Sequence, residues 1–577
     1  MTDPILSRRE LDFLLFDWLN VATDGDQRDT YAAVLDLAER LAIDHFLPHY
    51  KQADVEEPYL DSDGVHILPA IRVAVREYAA AGLFGAGFSP ELGGFGLPQT
   101  ITLALGGILA SANVSTASYP GLTAANARVI VSFGNAAQVR QFALPQIEGR
   151  WCGTMCLSEP HVGSSLGDIR TRALPDGEDE LGQRYRLIGN KMWITAGDQD
   201  ISDNIVHLVL AKVAGDDGTL PEGSKGISLF IVPKFLPDGS RNDVAVAGLN
   251  HKMGYRGSSN CLLNFGENAG ATGWIVGQQG QGLAQMFMMM NEARLGVGMG
   301  AAVLGYRGYR HAALYAQERV QGRPLGARGG PPVAINAHAD VRKMLMQQKA
   351  YSEGAIALCL YCATLVDKGG EEAEQVLALL TPVAKTWSSE YGLMANDLAI
   401  QVHGGYGYTR DFDVEQLWRD SRINPIHEGT TGIQGIDLLG RKLLHADGRS
   451  YAALMLRIGE TVAHARQWEK LSECGAGLEA YWEKIGELIQ HLKQKEGVDA
   501  FNESTLFLRA FGHGVIAWIW LSQAICALSA EGGSAMDAKV IACQFFFENE
   551  LPQGHAWMQI IAGSSSLLTR APAEVFL

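Results

Sequence analysis

Apolar residues recur at three- and four-residue steps early in the chain, in Val34-Leu37-Leu41 and again in Ile71-Val75-Tyr78-Ala79. That spacing gathers side chains onto one face of a helix. The run Glu91-Leu92-Gly93-Gly94-Phe95-Gly96-Leu97-Pro98 interrupts it with turn residues, so 31–152 is expected to be an all-helical domain broken by one turn. A short helical extension, 1–30, is expected ahead of it. From 153 to 276 the texture changes to short runs rich in Val, Ile and Leu, such as Val206-His207-Leu208-Val209-Leu210 and Ile227-Ser228-Leu229-Phe230-Ile231-Val232, separated by turns such as Asp216-Asp217-Gly218. These read as strands of a β domain. Helical periodicity returns over 277–444, with a Gly/Pro-rich loop at 322–332, and continues through 445–577 as an additional helical domain. The predicted class is therefore α+β and multidomain: helical domain, middle β domain, helical bundle, and a further helical domain.

Two stretches bear on membranes. The first twenty residues carry Arg8, Arg9, Glu10 and Asp12 among their apolar positions, unlike a secretory leader. Ala510–Leu528 is free of Asp, Glu, Lys and Arg and has the length of a bilayer span. Gly512, His513, Gly514, Ser522 and Gln523 interrupt it, which favours a buried helix, and no transmembrane span is expected. The last domain also holds Trp468, Trp482, Trp518, Trp520, Trp557 and Phe545-Phe546-Phe547, more large apolar side chains than a solvent-surrounded bundle needs.

At 577 residues the chain is too long for one core, and 47% hydrophobic with 19% charged residues is the composition of a globular enzyme. A formal charge of −17 argues against nucleic acid as a partner. It leaves room for a phosphorylated cofactor, which needs only local cations and helix ends. The eight cysteines are scattered, as reduced cytoplasmic thiols are. Cys359-Leu360-Tyr361-Cys362 has no second pair to complete a zinc site, and no metal is expected.

The candidate chemistry begins at Pro425-Ile426-His427-Glu428-Gly429-Thr430-Thr431. Pro425 disfavours helix just before it, Gly429 removes a side chain beside the Glu428 carboxylate, and Thr430 and Thr431 read as caps for a helix through Ile433, Ile436 and Leu439. Taken alone, this is also what an ordinary glutamate on a capped surface turn looks like. Two rival motifs lack their context. Gly163-Ser164-Ser165-Leu166-Gly167 fits a hydrolase elbow, but His403-Gly404-Gly405 follows it instead of preceding it, and no doubly wound βα alternation is present. Gly296-Val297-Gly298-Met299-Gly300-Ala301 fits a dinucleotide fingerprint but lies inside a helical run, where glycines let helices pack closely.

The Glu428 segment occurs together with Met155-Cys156-Leu157-Ser158-Glu159-Pro160, Lys191-Met192-Trp193-Ile194-Thr195 and Gln401-Val402-His403-Gly404-Gly405. In that order and spacing, over about 35–444, the chain resembles the acyl-CoA dehydrogenase flavoproteins. Its extensions at both ends resemble the long bacterial branch that includes 3-methylmercaptopropionyl-CoA dehydrogenases and long fatty acyl-CoA dehydrogenases. The resemblance implies FAD as cofactor and α,β-dehydrogenation of an acyl-CoA to the trans-2-enoyl-CoA, as in fatty acid β-oxidation. Glu428 would be the base and Gly429 would lie against the thioester.

By the same resemblance Met155, Cys156, Leu157 and Ser158 would line the flavin ring, with Trp193, Ile194 and Thr195 forming a second contacting segment. Thr430 would be a further cofactor contact. Arg319 would reach the flavin pyrophosphate of a neighbouring subunit, with Gln401, Gly404 and Gly405 in the partner segment. Ser164, Asn291 and Arg294 would touch the acyl-CoA, although Asn291 stands where the family has an acidic residue. The resemblance further implies an electron-transfer flavoprotein as acceptor, a homodimer and a bacterial cytoplasmic setting. An acyl-CoA oxidase differs mainly in oxygen access, and a non-catalytic flavin-binding scaffold would have no reason to keep Glu428.

Overall fold

The computed structural model describes residues 5–495, 497–529, 534–565 and 567–577. Within these the chain divides into two compact units, one spanning Tyr31–Gly296 and the other combining the residues up to Thr30 with Val297–Leu577.

The 31–296 unit is helical up to residue 147 and then becomes a β domain. Its long helix Gln99–Phe133 is bent at Asn113 (φ −157, ψ 97) and mostly buried. The expectation of an all-helical segment needs one correction. Tyr59–Asp61 and Gly64–His66 pair as a small antiparallel hairpin, closed by Asp61, whose carboxylate accepts from the Asp63 N–H at 2.8 Å. Strands of three residues are too short to show a period of two, and the helical pattern on either side masks them.

Eight strands form the sheet of the β domain. Gly182–Thr195 is the longest: its first half pairs antiparallel with Arg172–Asp179 and with Ala271–Ile275, its second half with Asn260–Phe265. Ala271–Ile275 also pairs with Ile227–Pro233, which pairs with Ile205–Val213, which pairs with Arg172–Asp179, so the strands close a ring. Ile205–Val213 and Ile227–Pro233 are buried along their whole length, explaining why they read as continuous apolar runs instead of alternating ones. Cys152–Cys156 joins Ile205–Val213 in parallel. Asn126, from the long helix, donates to the carbonyl oxygens of Thr154 and Val206 (2.8 and 2.9 Å), fixing that strand against the helix.

The second unit is built on three long helices, Val297–Glu318 (the later part of Gly282–Glu318), Ala339–Lys368 and Glu371–His403. Close packing, as expected from the helical setting of the glycine-rich run, is served there by Gly298 and, further along the helix, by Gly305. A Cβ at Gly298 would lie 2.5 Å from the Ala384 carbonyl oxygen, and one at Gly305 would lie 2.9 Å from Gly392 Cα. Cys359 and Cys362 face the interior, with Cys359 Sγ 3.8 Å from Ser388 Oγ.

The additional domain packs on this bundle through aromatic anchors. Trp387 donates to His513 Nδ1 at 3.1 Å, Trp520 to the Ala350 carbonyl at 3.0 Å, and the Trp557 ring stands nearly perpendicular to the His513 imidazole with centroids 4.7 Å apart. Burial pushes His513 down to about 3, so it is a neutral acceptor here. The N-terminal extension is tied to the same core: Trp18 donates to Ser522 Oγ (2.9 Å), and buried Lys539 bridges Glu10 and Glu353. Gln99–Phe133 and Gly497–Ser529 are long and apolar enough to cross a membrane, but each is mostly buried inside the protein.

Candidate functional site

In the β domain the structure brings Met155–Ser158 and Trp193–Thr195 together. Met192 N–H donates to the Ser158 carbonyl (3.0 Å), and Lys191 Nζ donates to the Leu157 carbonyl (2.9 Å) and to Glu159 Oε1 (3.0 Å). Lys191 is 0% exposed and Glu159 8%. Burial alone would raise the Glu159 carboxyl; Lys191, the Thr171 hydroxyl and the N–H groups of Arg170 and Thr171 outweigh it and bring it below the ordinary carboxylate range. Burial pulls Lys191 down while Glu159 pulls it back up. The ionised pair is the state that satisfies all these donors.

The pairing of Gly182–Thr195 with Asn260–Phe265 slips between Lys191 and Ile194. Trp193 sits in that irregularity at φ 66 and is 59% exposed. A large aromatic held out in a left-handed backbone conformation is unusual for packing alone and suits a flat ligand stacked against it. Met155, Leu157, Ser158 and Thr195 are partly exposed. Cys156 and Ile194 are not: both side chains enter the barrel core, so only their main chain is available to a flavin. Strand alternation is the physical reason, since neighbours of an outward residue point inward.

Ser164 is exposed in the loop that follows the Glu159–Val162 turn, and that loop runs into a short 3-10 turn at Leu166–Asp168 rather than a helix, so it is no hydrolase elbow. Asn291 lies in a helix, but its side chain is outside the described residues. Arg294 is buried at 4% exposure instead of standing open to a ligand, and the neighbouring Glu292 is engaged by Arg128 at 3.3 Å.

In the second unit, Glu428 adopts φ 52 and Gly429 φ 92. Thr431 N–H closes the turn onto the Pro425 carbonyl at 3.3 Å. Lys385, wholly buried, donates to the carbonyls of Asn424 (2.8 Å) and Gly429 (2.7 Å), and Gln434 Nε2 donates to the Glu428 carbonyl (3.1 Å). A Cβ at residue 429 would lie 2.6 Å from Gln434 Nε2, so both the positive φ and the close amide require glycine there. Burial, reinforced by the Lys385 charge, pushes His427 to about 3; it is neutral and lies 3.2 Å from Asn424 Oδ1. The cap expected from sequence is present, with the Thr430 hydroxyl accepting from Ile433 N–H at 3.4 Å. Lys385 and Gln434 were not singled out from sequence. A lysine inside the apolar run Val383-Ala384-Lys385-Thr386-Trp387 was the available signal.

Arg319 is exposed just past the Gly282–Glu318 helix, and Gln401, Gly404 and Gly405 are exposed at the end of Glu371–His403. Tyr315 stacks on His403 with centroids 4.4 Å apart, so these two helix ends lie side by side in one chain. Gly404 is at φ 61, and open space surrounds both glycines. Exposed main-chain N–H groups beside an arginine fit a pyrophosphate, while Trp193 with the partly exposed Met155, Leu157, Ser158 and Thr195 fits a flat conjugated ring.

Family models match along the chain in four segments: acyl-CoA dehydrogenase N-terminal domain (28–150), middle domain (154–267) and C-terminal domain (280–444), then an acetyl-CoA dehydrogenase C-terminal-like domain (454–572). Fold and segments together define a flavin-dependent oxidoreductase acting on acyl-CoA. The chain is 34% identical over 568 residues to 3-methylmercaptopropionyl-CoA dehydrogenase of Ruegeria pomeroyi, covering 94% of each. It is 34% identical over 566 residues to the broad-specificity linear acyl-CoA dehydrogenase FadE5 of Mycobacterium tuberculosis, covering 91% of this chain and 90% of that one. A solved acyl-CoA dehydrogenase of Bacillus anthracis, complexed with FAD, shares the fold at TM-score 0.76 and 21% identity, covering 98% of this chain and 93% of its own. The protein belongs to the acyl-CoA dehydrogenase family, whose cofactor is FAD. The resemblance carried by the motif residues is thereby borne out.

Proposed function

We propose that this protein oxidises a linear or thioether acyl-CoA to its trans-2-enoyl-CoA, with Glu428 removing the α-proton. The observation that carries this reading is the Glu428 backbone. A glutamate at φ 52 is strained, and Lys385, Gln434 and the Thr431–Pro425 hydrogen bond hold it there. Strain of about 1–3 kcal/mol persists where the surroundings over-determine it, and it clusters at active sites. With its own carbonyl and that of Gly429 tied inward, the turn gives the carboxylate a fixed origin from which to meet a C–H bond, and geometry is the first requirement of a general base. FAD, when bound, supplies the acceptor for the β-hydride. Met155, Leu157, Ser158, Trp193 and Thr195, with the main chain of Cys156 and Ile194, would hold the ring; Arg319, with Gln401, Gly404 and Gly405 in the partner segment, would reach the flavin pyrophosphate of a neighbouring subunit, and Thr430 would be a further cofactor contact. Gly429 and Ser164 meet the acyl-CoA, and Asn291 and Arg294 contribute toward the CoA portion. The working form is a homodimer in the bacterial cytoplasm, passing electrons to an electron-transfer flavoprotein. The domain limits are 1–30, 31–152, 153–276, 277–444 and 445–577.

Glu428→Gln tests the assignment. The amide keeps shape but cannot accept the proton, so the variant should stay folded and yellow while flavin reduction by acyl-CoA falls by about 10²-fold or more. Retention of most of the rate would overturn it. The 34% identity to a 3-methylmercaptopropionyl-CoA dehydrogenase favours a thioether substrate as the second reading. Anaerobic bleaching by straight-chain and thioether acyl-CoAs of matched length decides between the two, and peroxide formation in air would mark an oxidase.

A further inference from the structure

We infer that the additional C-terminal domain takes part in catalysis by positioning the base-bearing turn, through a relay from Arg509 to Glu390 to Thr431. This rests on the reading of Glu428 as the base. Glu390 lies on Glu371–His403, five residues after Lys385. Its Oε1 accepts from the Thr431 hydroxyl at 3.1 Å, and its Oε2 accepts from Arg509 Nε and Nη2 at 3.3 and 3.1 Å. Arg509 belongs to Ser504–Ser529 of the additional domain, where its guanidinium lies over the Trp557 ring, 5.7 Å from the centroid. A guanidinium that donates twice to one carboxylate oxygen while packed on an indole fixes the carboxylate's orientation far better than a solvated glutamate would fix itself.

Thr431 is the closing post of the turn, because its N–H bonds the Pro425 carbonyl and so spans the loop that holds Glu428. The same helix therefore grips the turn twice. Lys385 holds the carbonyls of Asn424 and Gly429, and Glu390 holds the hydroxyl of Thr431. The two grips differ in kind: Lys385 reaches the two carbonyls directly, whereas Glu390 is itself held by Arg509 of the additional domain. A second contact comes from the same domain. Gly435, one residue after Gln434, rests on the Ser504 main chain so closely that a Cβ would lie 2.8 Å from the Ser504 carbonyl oxygen. The short Thr431–Ile436 helix is thus seated directly on the start of the Arg509 helix. Arg509, Glu390 and Thr431 are positioning residues, acting on Glu428 through the main chain of its turn.

The test is stopped-flow reduction of the purified, FAD-loaded full-length enzyme by whichever of butanoyl-, octanoyl- or hexadecanoyl-CoA reduces it fastest. Arg509→Ala and Thr431→Val should each slow the saturating rate about 10-fold, the scale on which a sub-ångström displacement of a catalytic group acts, with flavin content and acyl-CoA Kd unchanged. Thr431→Ser should restore the rate, and Arg509→Ala combined with Thr431→Val should be no slower than the slower single variant, because both break one path. If Arg509→Ala fails to fold, Arg509→Lys replaces it, and Thr431→Val tests the path from outside the additional domain. Native-like rates in the Arg509 and Thr431 variants, a loss confined to Kd, or a Thr431→Ser as slow as Thr431→Val would overturn the inference. Glu428→Gln run alongside separates the two failures. A slow Glu428→Gln beside a fast Arg509→Ala removes this inference alone, whereas a fast Glu428→Gln removes the base reading and this inference with it.

Discussion

Replacing Lys191 by methionine should loosen the flavin-binding half of the protein from within. The substitution removes an ammonium that is 0% exposed and donates to Glu159 Oε1 at 3.0 Å and to the Leu157 carbonyl at 2.9 Å. Methionine fills the stem's volume, so little cavity is added. What remains is a nearly buried carboxylate without its cation, and breaking a buried pair in this way costs about 3–5 kcal/mol. The lower part of that range applies. Glu159 keeps three other donors, the Thr171 hydroxyl (2.6 Å), the Thr171 N–H (2.9 Å) and the Arg170 N–H (2.7 Å). At about 3–4 kcal/mol, a thermal midpoint lower by about 6–16 °C follows for a unit of this size. Flavin should also be released more readily, because Leu157 and Ser158 are tethered to the 191–192 segment by the bonds this variant disturbs.

Circular dichroism melts of apoprotein and flavin fluorescence melts of holoprotein measure the two effects. Adding Glu159→Gln to Lys191→Met should recover part of the loss, since a carboxamide oxygen in the Oε1 position still accepts from the Thr171 N–H and hydroxyl without carrying a buried charge, giving up only the Arg170 N–H bond at Oε2. A Lys191→Met midpoint within about 2 °C of the native protein, with native flavin retention, would refute this account of the pair.

Burial holds His427, His513 and His207 at about 3 and His49 at about 4, so each is neutral in the fold and protonated in the unfolded chain at mildly acid pH. Their contribution is complete above about pH 6.5 and is lost as pH falls toward those values, by about 1.4 kcal/mol per pH unit for each histidine; urea midpoints unchanged between pH 7.5 and 5 would contradict this. The full-length protein should sediment as a homodimer, and truncation before His445 should cause aggregation or tetramers by uncovering Trp387 and Tyr391, which now face His513. A tetrameric full-length protein, or a well-behaved truncated dimer, would count against it.

Most of the architecture was legible in the periodicities, because long helices and fully buried strands state their burial in the sequence. The Tyr59–His66 hairpin was not, being shorter than the window over which a period can be read. The site was legible where residue type and conformation coincide, as at Gly429, whose positive φ and close amide admit only glycine. It was illegible where a side chain works at long range. Lys385 reaches carbonyls 39 and 44 residues away, and Arg509 meets Glu390 across 119 residues. Nothing local marks such pairs except a charge in an apolar run. Arg294, matched by resemblance to a ligand-contacting arginine, is 4% exposed, a burial that nothing in its local sequence announces.

Among the described residues only five non-glycine positions take a left-handed backbone; two of them, Trp193 and Glu428, are the proposed flavin-stacking and base residues, and a third, Ala196, directly follows the proposed flavin segment. Each costs about 1–2 kcal/mol against an ordinary conformation. The ties that hold them come from other parts of the chain: Ala196 N–H bonds the Ser259 carbonyl, Trp193 stands between the paired residues Lys191 and Ile194, and Gln434 and Lys385 flank Glu428. The consequence is shared by Trp193 and Glu428. A left-handed residue turns its side chain out of the line its neighbours follow, so Trp193 leaves the sheet and Glu428 leaves its turn while the adjoining main chain stays bonded. Relaxing Trp193 or Glu428 by a glycine substitution would therefore relieve strain and remove the functional group at once, and stability and activity should move in opposite directions there.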